Sequence, residues 1–175
     1  MRLLAYNQLF RGLAARYLDI AATPENGRFL RIQISADPIA KQIDLSGFYG
    51  ALRSKLKAPN QAFLILENYQ IDYDDNNGDW FARRLHGAFL VLKKTPTGND
   101  EARDAAIDAC EQIAEDILAA LVLQLEQTYR VSMTLNDAFA EHVGPVGDGH
   151  VGVRINFSWK ESAGEDLTYN PSKFL

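Results

Sequence analysis

The chain of 175 residues has one cysteine, no excess of basic charge and no long apolar run. Since Cys110 stands alone, no disulfide can form within the chain, and we expect a reduced, cytoplasmic site of synthesis. The net charge of -5 argues against a general nucleic-acid binder, which carries a basic surface to neutralise phosphates. Polar residues interrupt the apolar segment 1–23, so we expect neither a signal-peptide core nor a membrane span. These residues are Arg2, Asn7, Gln8, Arg11, Arg16 and Asp19.

The usual motifs of enzymes and metal sites are also missing. His86, His142 and His150 form no pair at metal-ligand spacing, and His86 is expected to be a half-exposed strand residue. No serine lies in a Gly-x-Ser-x-Gly turn, and Cys110 lies in a helical pattern, where a buried thiol is normally inert. We therefore expect no enzymatic activity, no cofactor and no metal.

Two segments partly match ligand-binding loops. Asp72, Asp74, Asn76 and Gly78 alternate like calcium ligands, but the sixth position lacks the required glycine and the twelfth lacks the glutamate. A polar hairpin tip explains this segment, because Asn-Gly is the strongest short hairpin signal. The glycines of residues 144–149 resemble a phosphate loop, but a strand follows instead of a helix, which favours a plain connection.

With 47% apolar residues, the chain is long enough for one buried core. We expect one domain over residues 1–160 and an extended arm over 161–175, which is too polar to order itself alone. Apolar residues at helical spacing predict an opening amphipathic helix that ends near Thr23 and Pro24. Its apolar face would consist of Leu3, Tyr6, Leu9, Phe10, Leu13, Ala14, Tyr17, Leu18 and Ile20.

Alternating and β-rich segments predict five strands. A short helix over 46–57, with Ser46 as its N-cap, should follow the first strand. The second and third strands flank Asn77 and Gly78 and should form an antiparallel hairpin. The last two strands should be joined through the glycine-rich residues 144–149. The expected strands cover residues 28–35, 62–73, 83–93, 130–135 and 150–159.

A long helix is predicted over residues 100–127. Asn99 is a suitable N-cap, and the acidic residues that follow it suit the positive end of the helix dipole. The expected buried face is rich in alanine, so the helix could approach a sheet closely. It comprises Ala106, Ala109, Cys110, Ile113, Ile117, Ala120, Leu121 and Leu125.

Five carboxylates, three and four residues apart, share another face of this helix and form what we call the acidic stripe. Like charges at this spacing destabilise a helix by about 0.2 to 0.5 kcal/mol per pair. The stripe is therefore either an ordinary solvated face or a surface that lines a channel or meets a basic partner. Arg2, Arg11 and Arg16 could provide that partner between subunits, or could simply be solvated. The acidic stripe consists of Glu101, Asp104, Asp108, Glu111 and Glu115.

The order of the predicted elements resembles that of the tail terminator or tail completion proteins of long-tailed bacteriophages and related contractile particles. The similar segments are the strand over 80–93, the helix over 100–121 and the closing strand over 149–159. The resemblance implies a single α+β domain, in which a long helix and an N-terminal helix pack on a mostly antiparallel or mixed sheet.

The resemblance also implies a structural virion protein of the tail and neck, made in the cytoplasm of a bacterial host. Such a protein is a homo-oligomer, a hexameric ring that caps the tail tube and joins it to the head. Its partners would be the tail tube protein, neck or head-completion proteins and a sheath, with DNA only as passing cargo and no membrane. The acidic stripe would line the DNA channel. Subunit contacts would come from Arg2, Arg11, Arg16, Leu167, Tyr169, Phe174 and Leu175.

Two alternatives stay open. The chain could be another neck or baseplate connector or a sheath-associated component, which shares the expectation of a ring. It could also be a small-ligand-binding α+β protein, with a site under the hairpin or the 144–149 loop. Ligand binding would require a concave pocket with convergent polar groups. A ring would instead require surfaces that close by heterologous contacts around an axis.

Overall fold

The computed structural model describes residues 1–33, 50, 61–75, 80–96, 98–147 and 149–174. These residues form an α+β domain with two long helices and a mixed sheet, as the sequence predicted. The long helices are α1 (Leu3–Arg16) and α2 (Asp100–Gln124), and α2 continues into a π-helical turn over Leu125–Tyr129. A one-turn helix, α3 (Gly164–Leu167), lies in the arm. The strands are β1 (Phe29–Ile32), β2 (Ala62–Glu67), β3 (Gln70–Asp75), β4 (Phe81–Lys94), β5 (Ala138–Val146) and β6 (His150–Ser162).

The centre of the sheet is the antiparallel pair of β4 and β6, which runs from Ala82 opposite Ser162 to Lys94 opposite His150. The strand order is β1-β2-β4-β6-β5, and β3 also pairs with β4. Only β1 and β2 run parallel among the described strand pairs. The registers of β2 and β3 on β4 differ by one residue, so β2 and β3 act as one strand interrupted at residues 68–69.

Both long helices pack on one face of the sheet, which we call the helix face. An aromatic cluster fills the space beneath α1, where the Phe157 ring stacks on Trp159 at 5.5 Å and on Phe10 at 5.6 Å. Gly87 makes this stacking possible, because a Cβ atom there would lie 2.7 Å from the Phe157 ring and 2.7 Å from the Tyr6 hydroxyl. The cluster therefore depends on a glycine as much as on its aromatic residues.

The opposite face of the sheet, which we call the open face, is divided into two parts. One part is apolar and buried, and consists of Leu30, Phe63, Ile65, Leu90 and Leu92. The other part carries charged residues of β3, β4, β5 and β6 in alternation with the core residues of the helix face.

The helix predictions are confirmed with shorter bounds. Asn99 is the N-cap of α2, since its Oδ1 accepts a hydrogen bond from the Ala102 amide at 2.9 Å. The α1 prediction extends too far, because the helix ends at Arg16 and Leu18 is left 91% exposed. In α2 the alanine-rich face is partly wrong: Ala114 is buried, whereas Ala106, Ala109 and Ala120 are only half-buried.

The predicted strand over 130–135 is wrong. Val131 and Met133 are buried in alternation with exposed neighbours, which gives a strand-like pattern, but the segment forms no ladder. The strand in this region is β5, which begins at Ala138 and includes Pro145. Proline is compatible with this position because β5 is an edge strand in the described sheet.

The other strand predictions are confirmed with changed limits. The first strand covers only Phe29–Ile32, the segment 62–73 is divided into β2 and β3, and the last strand extends to Ser162. The antiparallel pairing of the hairpin is confirmed by β3 and β4. The predicted helix over 46–57 and the hairpin tip at 76–79 lie outside the described residues, apart from Gly50.

Candidate channel and subunit surfaces

The acidic stripe lies on the side of α2 that faces away from the sheet. The opposite side of the helix packs on the sheet through Cys110, Ile113, Ile117 and Leu121. At 1.5 Å per residue, a stripe that begins at residue 101 and ends at residue 115 is about 21 Å long. All five carboxylates are exposed or half-exposed, as a channel or partner surface requires.

Only two carboxylates of the stripe lie within 4 Å of a basic side-chain nitrogen in the part of the chain that the structure describes. The Arg103 guanidinium lies 3.7 Å from Asp104, and His142 Nε2 lies 3.4 Å from Glu111. The remaining three members, at positions 101, 108 and 115, have no such partner among the described residues. Arg103 is a basic neighbour that the sequence analysis missed, although its position beside Asp104 was visible.

The charges of the open face are paired, in contrast to the acidic stripe. Arg154 makes a bidentate contact with Glu67 at 2.8 and 2.9 Å and a third hydrogen bond with Glu141 at 3.1 Å. The hydrogen bonds to Glu67 are the main reason why the pKa of Arg154 is raised. Asn156 adds a further hydrogen bond to Glu141 at 3.1 Å. This part of the sheet therefore satisfies its own charges.

The carboxylates of the calcium-like segment also have partners on the open face. Asp72 lies 2.9 Å from His86 Nε2, and Asp74 accepts a hydrogen bond from Lys160. His86 is half-exposed, as the sequence predicted. Among the described residues, no three His, Cys, Asp or Glu side chains are grouped in a way that could hold a metal ion.

The three arginines of α1 make contacts within their own chain. Arg2 donates a hydrogen bond to Asp166 at 2.8 Å, and the Arg11 guanidinium lies 5.7 Å from the centre of the Phe29 ring. Arg16 Nε donates to the carbonyl of Gly12 at 3.1 Å. These contacts leave Arg2 and Arg16 on the surface, where a second subunit can still meet them.

The root of the arm is attached to the domain by hydrogen bonds and ion pairs. The Ala163 amide donates to the Phe81 carbonyl at 2.9 Å. Asp166 lies 2.9 Å from the buried Arg83, which also donates to Glu161 at the end of β6. This cluster could not be predicted from the sequence, because its members are far apart in the chain.

The tip of the arm, residues 169–174, presents aromatic rings to solvent. Tyr169 is 70% exposed, Phe174 is 64% exposed, and their rings stack at 5.1 Å. Asn170 Oδ1 accepts from the Ser172 amide at 3.0 Å and so caps the turn between the two rings. Leu167 is also exposed, and Leu175 lies outside the described residues.

A groove of 330 Å³ lies between the C-terminal half of α1 and α2, and we call it the interhelical groove. The Tyr17 hydroxyl donates to Asp116 at 2.8 Å across one side of it. Burial, this hydrogen bond and the charges of Asp116 and Asp19 raise the pKa of Tyr17 to about 12. The groove is lined by Leu13, Arg16, Tyr17, Asp116, Ile117, Ala120, Leu123, Gln124 and Gln127.

The cavity near the glycine-rich loop is much smaller. It has a volume of 90 Å³ and lies between Thr95, Asn99, Pro145 and Gly149. Pockets for drug-sized ligands usually measure about 300 to 1,000 Å³, so this cavity is too small for such a ligand.

Cys110 is buried, as predicted, and burial raises its pKa to about 12, so its thiol is a poor nucleophile.

No family model, curated protein or solved structure matches this chain. Within the described residues, no helix has the length and apolar character needed to cross a membrane.

Proposed function

We propose that this chain is a structural, non-enzymatic subunit of a ring in the neck of a tailed particle, where it acts as a tail terminator. The observation that carries the proposal is the acidic stripe, a row of carboxylates about 21 Å long on the outward side of α2. Three of its five members have no ion pair within the described part of the chain, whereas the charges of the open face are paired.

A physical argument connects the acidic stripe with a DNA channel. Unpaired carboxylates at spacings of three and four residues cost a helix about 0.2 to 0.5 kcal/mol per pair. An interaction of these carboxylates with another molecule would explain why the helix carries them. In a ring, copies of the stripe would repel DNA phosphates and so prevent the genome from sticking to the wall. Screening limits this repulsion to about 8 Å at physiological salt, which is the scale of a narrow channel.

The order of elements supports the same function. The α+β fold, the N-terminal helix and the long helix on one sheet face agree with the architecture that the resemblance implies. The proposed partners are further copies of this chain, the tail tube protein and the adjoining neck or head-completion proteins, with a sheath as a further contact. The proposed location is the neck of the virion.

The interhelical groove supports a second candidate function, the binding of a small ligand. Its volume of 330 Å³ falls within the usual range for such sites, and apolar walls surround a few polar groups. A ligand-binding domain would function as a monomer, whereas a terminator would function as a ring. A connector at another neck position would also form a ring, but would not bind the end of the tail tube.

The first test is the mass of the purified protein in solution, measured by light scattering coupled to size exclusion, alone and with tail tube protein. The proposal predicts a closed ring, or a complex that forms only in the presence of tube. A monomer that does not respond to tube would contradict it and favour the ligand-binding function. A ring that does not bind the tail tube protein would contradict the terminator role and favour another neck component.

The second test neutralises the acidic stripe by replacing its five carboxylates with glutamine. The control removes exposed carboxylates elsewhere, by Glu25→Gln and Glu126→Gln. We expect nearly unchanged folding and ring mass in both variants, but loss of DNA passage or head joining only in the stripe variant. Unaltered particle infectivity of the stripe variant would contradict the role of the stripe.

A further inference from the structure

We propose that the tip of the arm in one subunit docks in the interhelical groove of a second copy of this chain. This inference rests on the proposed function, because it needs the chain to assemble. It assigns the contact that would link neighbouring subunits: an aromatic pair at residues 169 and 174 on one copy, and the groove between α1 and α2 on the next.

The interhelical groove offers apolar walls and an acceptor that lacks a donor. Leu123 is exposed on one wall of the groove, and Leu13, Ile117 and Ala120 are the other apolar residues that line it. The Oε1 atom of Gln124 is buried, and none of the described residues donates a hydrogen bond to it. A buried acceptor without a donor costs stability, so a turn of the Gln124 side chain towards an incoming hydroxyl or ammonium group would be favoured.

The charge at the rim of the groove complements that of the arm tip. Asp116 lies at the rim, and Asp19 is close enough for both charges to raise the pKa of Tyr17. Arg16 offsets one of these two negative charges. Lys173 in the arm tip carries a charge opposite to that of Asp116.

The tip has the shape and chemistry of an interface anchor. Tyr169 and Phe174 are fixed side by side by their own stacking and by the capped turn between them, so little conformational entropy would be lost on docking. Each aromatic side chain can bury about 150 to 250 Å² of surface. The Tyr169 hydroxyl and the Lys173 ammonium are donors of the kind that Gln124 Oε1 lacks.

The position of the arm favours a second copy over the same chain. The arm is held at the start of α1 by the contact between Asp166 and Arg2, whereas the groove lies beside the end of that helix. A helix of 14 residues separates these two points by about 20 Å. In the isolated chain the rings of the tip stack on each other in solvent. One tip and one groove per copy form a heterologous contact, the type that closes a ring.

Cysteine cross-linking tests this contact directly. One variant carries Ser172→Cys in the tip, and another carries Gln127→Cys in the groove, so both aromatic residues and Leu123 are retained. Cys110 is buried and its pKa is raised to about 12, so it should not compete. We expect the mixed variants to form an interchain disulfide on mild oxidation. The control mixture of Ser172→Cys with Leu135→Cys, an exposed position before β5, should not cross-link.

The outcomes separate this inference from the proposed function. A ring by light scattering without a tip-to-groove disulfide would overturn the inference and leave the ring intact. A disulfide that forms only when both cysteines are in one chain would also overturn it, since the tip would then occupy its own groove. A monomer in every sample would overturn the proposed function and the inference together.

Removal of the aromatic rings provides an independent test. We expect Tyr169→Ala with Phe174→Ala to raise the protein concentration needed for half-assembly at least tenfold, because central aromatic residues dominate interface energies. The control is Tyr73→Ala on β3, where the side chain is similarly exposed at 62%. Unchanged assembly of the double variant, or an equal loss in the control, would contradict the docking of the tip.

Discussion

Replacement of Glu161 by glutamine should lower the free energy of unfolding by about 3 kcal/mol. Glu161 and Arg83 form an ion pair whose side chains are only 8% and 7% exposed. Burial lowers the pKa of Arg83, but the hydrogen bond and charge of Glu161, together with the charges of Asp166 and Tyr69, outweigh burial, so the pKa is raised and the guanidinium stays charged. Removal of one partner from such a pair costs about 3 to 5 kcal/mol, because it leaves a buried charge uncompensated.

We expect the lower end of this range, because Asp166 still lies 2.9 Å from Arg83 after the substitution. A loss of about 3 kcal/mol corresponds to a change of roughly 150-fold in the unfolding equilibrium. Urea unfolding can measure it through tryptophan fluorescence, since Trp159 is buried in the core.

Asp74→Asn provides the matched control, because it removes an exposed ion pair with Lys160 on the other side of the same sheet. Solvent screens an exposed ion pair, so this variant should unfold almost like the parent. The double variant Arg83→Met with Glu161→Leu should regain part of the lost stability, since the guanidinium is then no longer buried without its partner. The recovery should be incomplete, because the buried N-terminal ammonium of Met1 also loses its ion pair with Glu161. A loss below 1 kcal/mol for Glu161→Gln, equal to the control, would refute this reasoning.

Three further predictions follow from single sites. Gly87→Val should lower the free energy of unfolding by about 1 to 3 kcal/mol, because the valine side chain would collide with the Phe157 ring. Thermal unfolding measures this loss, and an unchanged melting temperature would contradict the packing of Phe157 on Gly87. The pKa values of Tyr6 and Tyr69 are also raised, so an absorbance titration should compare the parent with Tyr17→Phe, and the difference should show a tyrosine that ionises near pH 12. The stability from the raised pKa of Tyr17, present below pH 10, should be lost between about pH 10 and pH 12. Ionisation of Tyr17 near pH 10 would exclude the hydrogen bond to Asp116. Cys110 should not react with a thiol reagent at pH 8 until the protein is unfolded, and rapid reaction of the native protein would contradict its burial.

The sequence predicted those parts of the fold that depend on local pattern. Periodicity located α1, α2 and the central strands, and the Asn99 cap was correct to the residue, because each signal lies within a few neighbouring positions. The same pattern failed at Val131 and Met133. Both side chains pack in the core, so burial alternates along a segment that forms no ladder with another strand. Periodicity alone cannot distinguish such a segment from a strand.

The candidate surfaces were only partly predictable. The acidic stripe could be predicted because helical spacing fixes which residues share a face, and the structure places it on the outward side of α2. The interhelical groove and the cluster of Arg83, Glu161 and Asp166 could not be predicted, since they join residues from distant parts of the chain. Tertiary packing alone brings these groups together.

The most direct measurement of the central claim is the distance between spin labels on neighbouring subunits of the assembled protein. One label is attached at Asp108→Cys in the acidic stripe, and the comparison label at Asp72→Cys on the open face. If the stripe lines the channel, the labels at position 108 lie nearer the ring axis and give shorter distances between subunits than those at position 72. Equal or longer distances at position 108, or no distance between subunits at all, would contradict the account.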